Sequence, residues 1–445
     1  MAKLFGKQRT TTKARFAFVL GITVFGLMGI SCTNLADTVE GNTSQANNNA
    51  TEGNENSNTN SNNSNNNNEP HPTEKVDLEA ILTSLGENVI LPVYQDFQTA
   101  AVALQSAASD YASAVENDSA EEADKLLALQ EAWKTSMNAW QHAEMLQIGP
   151  AGSSSKMIAG DNIRDEIYSW PTVNTCRVDQ ELVEEVYTEA SFFGDELVNV
   201  YGLDAIEYLV FEHSADNTCP SVVYLNTSGS WSALSESELK LGRASYSVAL
   251  AANLVTRADE LVNYWSAEEG NFVEDLAKAG ENGSVYETQL DALNDVFAAM
   301  FFLDTTIKDK KLAIPAGLDA TCDGACPEKA ESQWAHVSKE NIVANLKAFQ
   351  RTFHGGLNAE ENIGFDDFLV ELEYDELAET MTNDIIAAIN AVEAIDGNLK
   401  DALSNDSSKV QAAYDAVKAV TDSLKGDFVT ILGLTIPAEG AGDSD

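Results

Sequence analysis

About eight segments between residues 76 and 429 carry apolar side chains at three- and four-residue intervals, and no other feature restricts the fold as strongly. Among them are "VYQDFQTAAVALQSAASDYASAV", "ADKLLALQEAWKTSMNAWQHAEML", "LGRASYSVALAANLVTRADELVNYW" and "SKENIVANLKAFQRTFHGG". This spacing lays apolar groups along one face of an α-helix, whereas the period of two that a half-buried strand needs is scarce. The segments are rich in Ala and almost free of Pro, so little inside them would break a helix. Such faces are buried by packing helices side by side. The expectation is an all-α chain of two antiparallel four-helix bundles.

Two turn-rich stretches interrupt the pattern, "NTCPSVVYLNTSGSW" and "LAIPAGLDATCDGACPEKAESQW". They divide the helical region into a first bundle over residues 74–235 and a second over 236–437, followed by a frayed tail over 438–445. Ahead of these, residues 32–73 are dominated by Asn, Ser, Thr, Gly and Glu. That composition buries too little apolar surface to offset its ordering entropy, so a disordered tether is expected. At about 40 residues its reach is on the order of 35 Å.

Residues 1–31 combine five basic side chains, no acidic one and an apolar run up to Ile30, the pattern of a secretory signal. Ser31-Cys32 resembles a lipoprotein cleavage site, although Gly29 stands where such sites usually carry Leu. Lipidation at Cys32 is the expectation, and an ordinary cleaved signal beside an incidental cysteine is the competing reading. Setting Cys32 aside leaves Cys176, Cys219, Cys322 and Cys326, an even number for an oxidising compartment. Four cysteines allow three pairings; the tight "CDGAC" loop favours Cys322 with Cys326, and hence Cys176 with Cys219. The three-residue spacing fits neither a zinc hairpin nor a haem attachment site.

The formal net charge is −45, which repels nucleic acid and anionic membrane and attracts cations. A solvated acidic coat is the commoner cause of such a charge, so it does not by itself establish a metal site.

The sharpest local feature is "GLDAIEYLVFEH", residues 202–213. On an ideal helix Leu203, Ile206, Val210 and Phe211 share a face, and Glu207 falls among them while Glu212 points away. A carboxylate in an apolar arc must be paired, hydrogen-bonded, metal-bound or protonated. Asp204 and Glu207 have the spacing of a capping box, with Asp204 as N-cap. They equally have the spacing of two oxygens that chelate a hard cation from one helix face. Both readings stand on the residues alone, and a hydrolytic acid–base pair lacks an adjacent nucleophile.

Several stretches, taken in order, resemble the imelysin-like family of bacterial envelope proteins: "ILPVYQDF", "AWKTSMNAWQHAEMLQIGP", "IYSWP", "GLDAIEYLVF", "DKKLAIPAG" and "SKENIVANLKAFQRTFHGG". The family motif is Gly-x-His-x-x-Glu. Gly202 and Glu207 match it, and Asp204 replaces the histidine. The resemblance implies two four-helix bundles with a site between them. It also implies a function among insulin-cleaving metallopeptidases, iron-regulated envelope proteins and components of ferrous-iron uptake. Imidazole suits zinc, whereas a second carboxylate shifts preference to hard cations, so the replacement argues for iron or another divalent cation and against a peptidase.

Further site candidates are Glu144, Ser338, Asn345 and Arg164. Ser338 doubles as a candidate N-cap, and Arg164 reads equally as the partner of a buried carboxylate or as one half of a surface pair. His142 and Glu144 face apart at i and i+2, and Trp133 and Trp140 read as core. The phosphate-binding loop, the nucleophile elbow, the zinc-protease signature and nucleic-acid motifs are all absent from the sequence. The expectation is an envelope lipoprotein, held to the membrane by its lipid and associated with iron-acquisition proteins, that handles iron or another cation. The alternatives are a metallopeptidase using Asp204, or a peptide or small-molecule binding module using the cleft between bundles.

Overall fold

Helix α1, Leu91–Glu116, shows how the sequence pattern becomes packing. Pro92 lies in its first turn, where a missing N–H does no harm, and Val93, Tyr94, Phe97, Ala101, Leu104 and Ala108 form its buried stripe. Helix α2, Glu122–Glu144, buries Leu129, Trp133, Met137 and Trp140 against it. The two tryptophans are core residues, and Trp133 Nε1 also donates to the Leu203 carbonyl at 2.8 Å.

The computed structural model describes residues 76–438. Among them the architecture is helical, with no strand beyond an isolated bridge between Asn282 and Ser284. No described helix is long and apolar enough to cross a membrane. The signal segment, Cys32, the tether and nearly all of the tail lie outside the described residues.

The short helix α3, Thr175–Glu184, leads through irregular turns to α4, Leu203–Phe211, and then to the long α5, Glu236–Trp265. A capping box formed by Ser235 and Glu238 starts α5. Although α5 follows the turn-rich break at residue 235, it packs along α1 and α4, so the first bundle draws a long helix from beyond that break. The break is a surface excursion of the first bundle, stitched back by the Cys176–Cys219 disulfide. The other pair, Cys322–Cys326, is also formed, as the spacing predicted.

The second group contains α6, Gln289–Met300, and α7, Ser338–Phe353. It is completed by α8, Asp375–Glu393, and α9, Ser408–Ser423. Between α6 and α7 runs a π-helical segment, Leu303–Ala313, which packs on α7 and α9. Along it Lys308 and Lys311 point inward while Lys310 is exposed. Helix α7 also packs against α2, and the polar site sits along that seam.

Candidate functional site

Gly202 opens the site. Its φ of 95° is one that L side chains avoid, and a Cβ there would meet the Ile167 carbonyl oxygen at 2.8 Å. The turn delivers α4 into the core, where every residue from Leu203 to Val210 is buried. The N-cap is Gly202 itself, so Asp204 lies inside the helix and the two acids do not form a capping box. Asp204 instead accepts from Ser169 Oγ at 2.7 Å and from the Ala205 N–H at 3.0 Å. Glu207 reaches across the molecule: its Oε1 accepts the backbone N–H groups of Trp334 and Ala335 at 3.0 and 2.9 Å.

Both acids are only 2% exposed. Burial pushes Asp204 up to about 7, against the opposing effect of its hydrogen bonds. It pushes Glu207 up to about 8, where Glu331 and Asp204 add repulsion that the two backbone donors do not cancel.

A second set of polar groups lies beside them. Lys311, fully buried, places Nζ 2.5 Å from Gln141 Oε1, 3.0 Å from Asn345 Oδ1, 3.2 Å from Glu144 Oε2 and 2.9 Å from Glu331 Oε1. Arg164 donates to Glu144 Oε1 at 2.7 Å, to Asp165 at 2.9 Å and to the Trp170 carbonyl at 3.2 Å. Glu331 also accepts from Tyr168 at 2.8 Å and from Asn341 at 3.0 Å. Burial alone would raise the Glu144 carboxyl, but Lys311 and Arg164 outweigh it and hold the group below the ordinary range. Tyr168 joins the two sets. Burial and the nearby Glu331, Glu144, Glu207 and Asp204 push its phenol well above the ordinary value.

Ser338 is the first residue of α7 and not its N-cap; its hydroxyl donates to the Glu331 carbonyl. Asn345 bridges Lys311 and the Gln141 carbonyl, to which its Nδ2 donates at 2.7 Å. The six candidates, Asp204, Glu207, Glu144, Ser338, Asn345 and Arg164, thus lie in one connected region. Sequence reasoning missed Lys311, Glu331, Gln141, Tyr168 and Ser169. "DKKLAIPAG" and "IYSWP" contained three of these as family-like stretches, but no residue in them announced its burial.

The donor chemistry fits a bare cation poorly. Asp204 and Glu207 are shifted toward their protonated forms and already accept protein hydrogen bonds. Glu144 and Glu331 are ion-paired, and Lys311 and Arg164 place positive charge among them. Among the described residues no group of three or more His, Cys, Asp or Glu is arranged to hold a metal ion.

A cavity of about 790 Å³ adjoins this region, and Arg164, Ser169 and Trp170 form part of its wall. The same three residues touch the buried groups, so the cavity and the motif helix share a boundary.

The fold has solved counterparts. An iron-regulated protein A precursor from Parabacteroides distasonis aligns with a TM-score of 0.61 at 17% identity, covering 82% of this chain and 97% of that one. An imelysin-like protein from Psychrobacter arcticum aligns with a TM-score of 0.59 at 18% identity, covering 81% and 98% respectively. No curated protein matches the chain. Residues 90–425 match the family model for imelysin, Peptidase M75. On that match, over most of its length, the chain belongs to the imelysin family.

Proposed function

We propose that this protein is a non-peptidase binding protein of the cell envelope, acting in iron handling, with its ligand received in the cavity behind Arg164, Ser169 and Trp170. The observation that carries the reading is the occupation of the motif acids. Both oxygens of Asp204 accept from Ser169 and Ala205, and Oε1 of Glu207 accepts from Trp334 and Ala335. They act as ties between α4, the loop before α3 and the loop that leads into α7. The iron link is drawn from the family and from the iron-regulated neighbour. In this reading iron or another cation arrives as part of an organic complex and is not chelated bare by the motif.

The test is the metal content of chain purified without chelators, with calorimetric titration by ferrous, ferric, zinc and calcium ions. The expected result is well under one bound ion per chain, an equal response in wild type and Glu207→Gln, and no cleavage of an unfolded insulin chain. One equivalent of metal that Glu207→Gln loses, or metal-dependent cleavage, would overturn the proposal in favour of a metal centre at Asp204 and Glu207.

A further inference from the structure

In a chain with a net charge of −45, the cavity wall brings together Lys156, Arg164 and Lys310 with Asp165 and Asp295, three cations beside two acids. Asp165 is already paired with Arg164 at 2.9 Å. Asp295 accepts from the Ile158 N–H and from the Tyr286 hydroxyl, each at 3.3 Å, and burial pushes it up to about 6. Lys310 stands on the same wall, its amine pushed down by desolvation and by the charge of Arg164. The buried Nε of Arg164 has no acceptor among the described residues. A buried donor of this kind is costly unless a ligand or water meets it.

The rest of the wall is apolar. Trp170, Phe301, Phe302 and Met157 line it, with the hydroxyls of Ser169 and Thr305 between them. Its volume lies within the range of sites that enclose small organic molecules, about 300–1,000 Å³. Positive charge on one side and aromatic surface on the other define an amphiphile. A singly charged group suits the site better than a dianion, because the field of the whole chain opposes each added negative charge.

We propose that this cavity binds a small organic carboxylate, with the carboxylate set against Lys310 and an aromatic or branched apolar body against Phe301, Phe302 and Trp170. The inference rests on the reading of the chain as a binding protein and names the class of its ligand. Lys310 supplies selectivity for charge, and the aromatic wall supplies most of the contact area. Ala298, on the same wall, is the position at which a large side chain would fill the space.

The experiment uses two fluorescent probes with a common apolar body, dansylglycine, which carries a carboxylate, and dansylamide, which does not. Titrated into the full chain, dansylglycine is expected to saturate one site with blue-shifted emission. Dansylamide should bind about tenfold more weakly or less, the loss expected when a charge-assisted contact is absent. Ala298→Trp should abolish dansylglycine binding. Lys310→Glu, at an exposed side chain outside the buried ion pairs, should weaken dansylglycine by about tenfold or more and leave dansylamide unchanged. Circular dichroism melting accompanies each variant; if Ala298→Trp is destabilised, Lys310→Glu decides alone.

Equal affinity for the two probes, or dansylglycine binding that Lys310→Glu does not weaken, overturns the proposal. Failure of a normally melting wild type to bind either probe also overturns the ligand class. The metal and peptide tests of the binding-protein reading are unaffected by that result, so the two failures are distinguishable.

Discussion

Four carboxyl groups lie buried around Tyr168, and they meet the cost of burial in two different ways. Glu144 and Glu331 are matched by cations, Arg164 and Lys311, and Glu144 is held below the ordinary carboxylate range. Among the described residues Asp204 and Glu207 have no ion-pair partner; they receive neutral donors and are raised to about 7 and about 8. A hydrogen bond from a hydroxyl or a backbone N–H eases the burial of a negative charge but does not replace a countercharge. The first pair is therefore built as ions and the second as acids that keep their protons until the pH approaches or passes neutral. A bare cation would have to displace the protons of the second pair beside the positive charges of the first.

The largest expected effect breaks the ion-paired side. Lys311→Met removes the one ammonium that meets Gln141, Glu144, Glu331 and Asn345 together, leaving two buried carboxylates short of a countercharge. Urea unfolding should show a loss of about 3–5 kcal/mol, the usual consequence of deleting one partner of a buried ion pair. A loss below about 1 kcal/mol, the size of a surface pair, would show that solvent reaches the cluster.

The next effect separates the two sides by pH. Asp204 and Glu207 have folded values of about 7 and about 8 against ordinary values of 3.8 and 4.5. The folded state therefore holds more protons than the unfolded one between those limits. The stability they contribute is complete below the ordinary values and is lost as the pH rises through about 7 and about 8. For Glu207 alone the displacement corresponds to roughly 4–5 kcal/mol. Glu144 has the opposite sign, and its contribution is present above the ordinary carboxylate value and lost as the pH falls through its lower folded value. In the double variant Asp204→Asn, Glu207→Gln, stability should decline much less between pH 5 and 9 than in wild type, while the acid limb stays. Parallel curves for the two proteins would remove the distinction between the pairs.

A smaller effect tests Glu207 alone. Gln keeps an oxygen for the Trp334 and Ala335 N–H groups and replaces a neutral acid by a neutral amide. At pH 6 Glu207→Gln should lie within about 1 kcal/mol of wild type by urea unfolding. A loss of several kcal/mol at that pH would mean that Glu207 is buried as an anion.

How much of this was legible in the sequence depends on the range of the interaction. Helices such as α1 were legible because a buried stripe is a local property of one segment. The burial of Glu207 was legible for the same reason, since Leu203, Ile206, Val210 and Phe211 enclose it on the helix surface. Its partners were not, because the backbone N–H groups of Trp334 and Ala335 carry no residue signature and lie far away in the chain. The packing of α5 against α1 was also illegible at residue 235, where a turn-rich loop looks the same whether it joins two bundles or leaves and re-enters one. Lys311 was missed because "DKKLA" reads as an ordinary charged helix face. Its partners Gln141, Glu144, Glu331 and Asn345 lie on other segments, which the local pattern cannot show.

Ser169 offers the finest test of the comparison, because it belongs to the acid pair and also to the cavity wall. Its hydroxyl lowers the Asp204 pKa and opposes the larger effect of burial. Ser169→Ala removes that donor and leaves the burial in place, so the Asp204 titration should move above about 7 and the alkaline loss of stability should continue to a higher pH. The net loss should be about 1 kcal/mol, the scale of one hydrogen bond. It should be larger at pH 9, where the hydroxyl would serve an ionised carboxylate, than at pH 6, where it serves an acid. Chemical denaturation at the two values measures the difference. The same loss at both would mean that Asp204 does not ionise in this range, and the alkaline limb would then belong to Glu207 alone. A larger loss at pH 6 would mean that the hydroxyl favours the protonated acid over the ion, the reverse of the direction argued for Asp204.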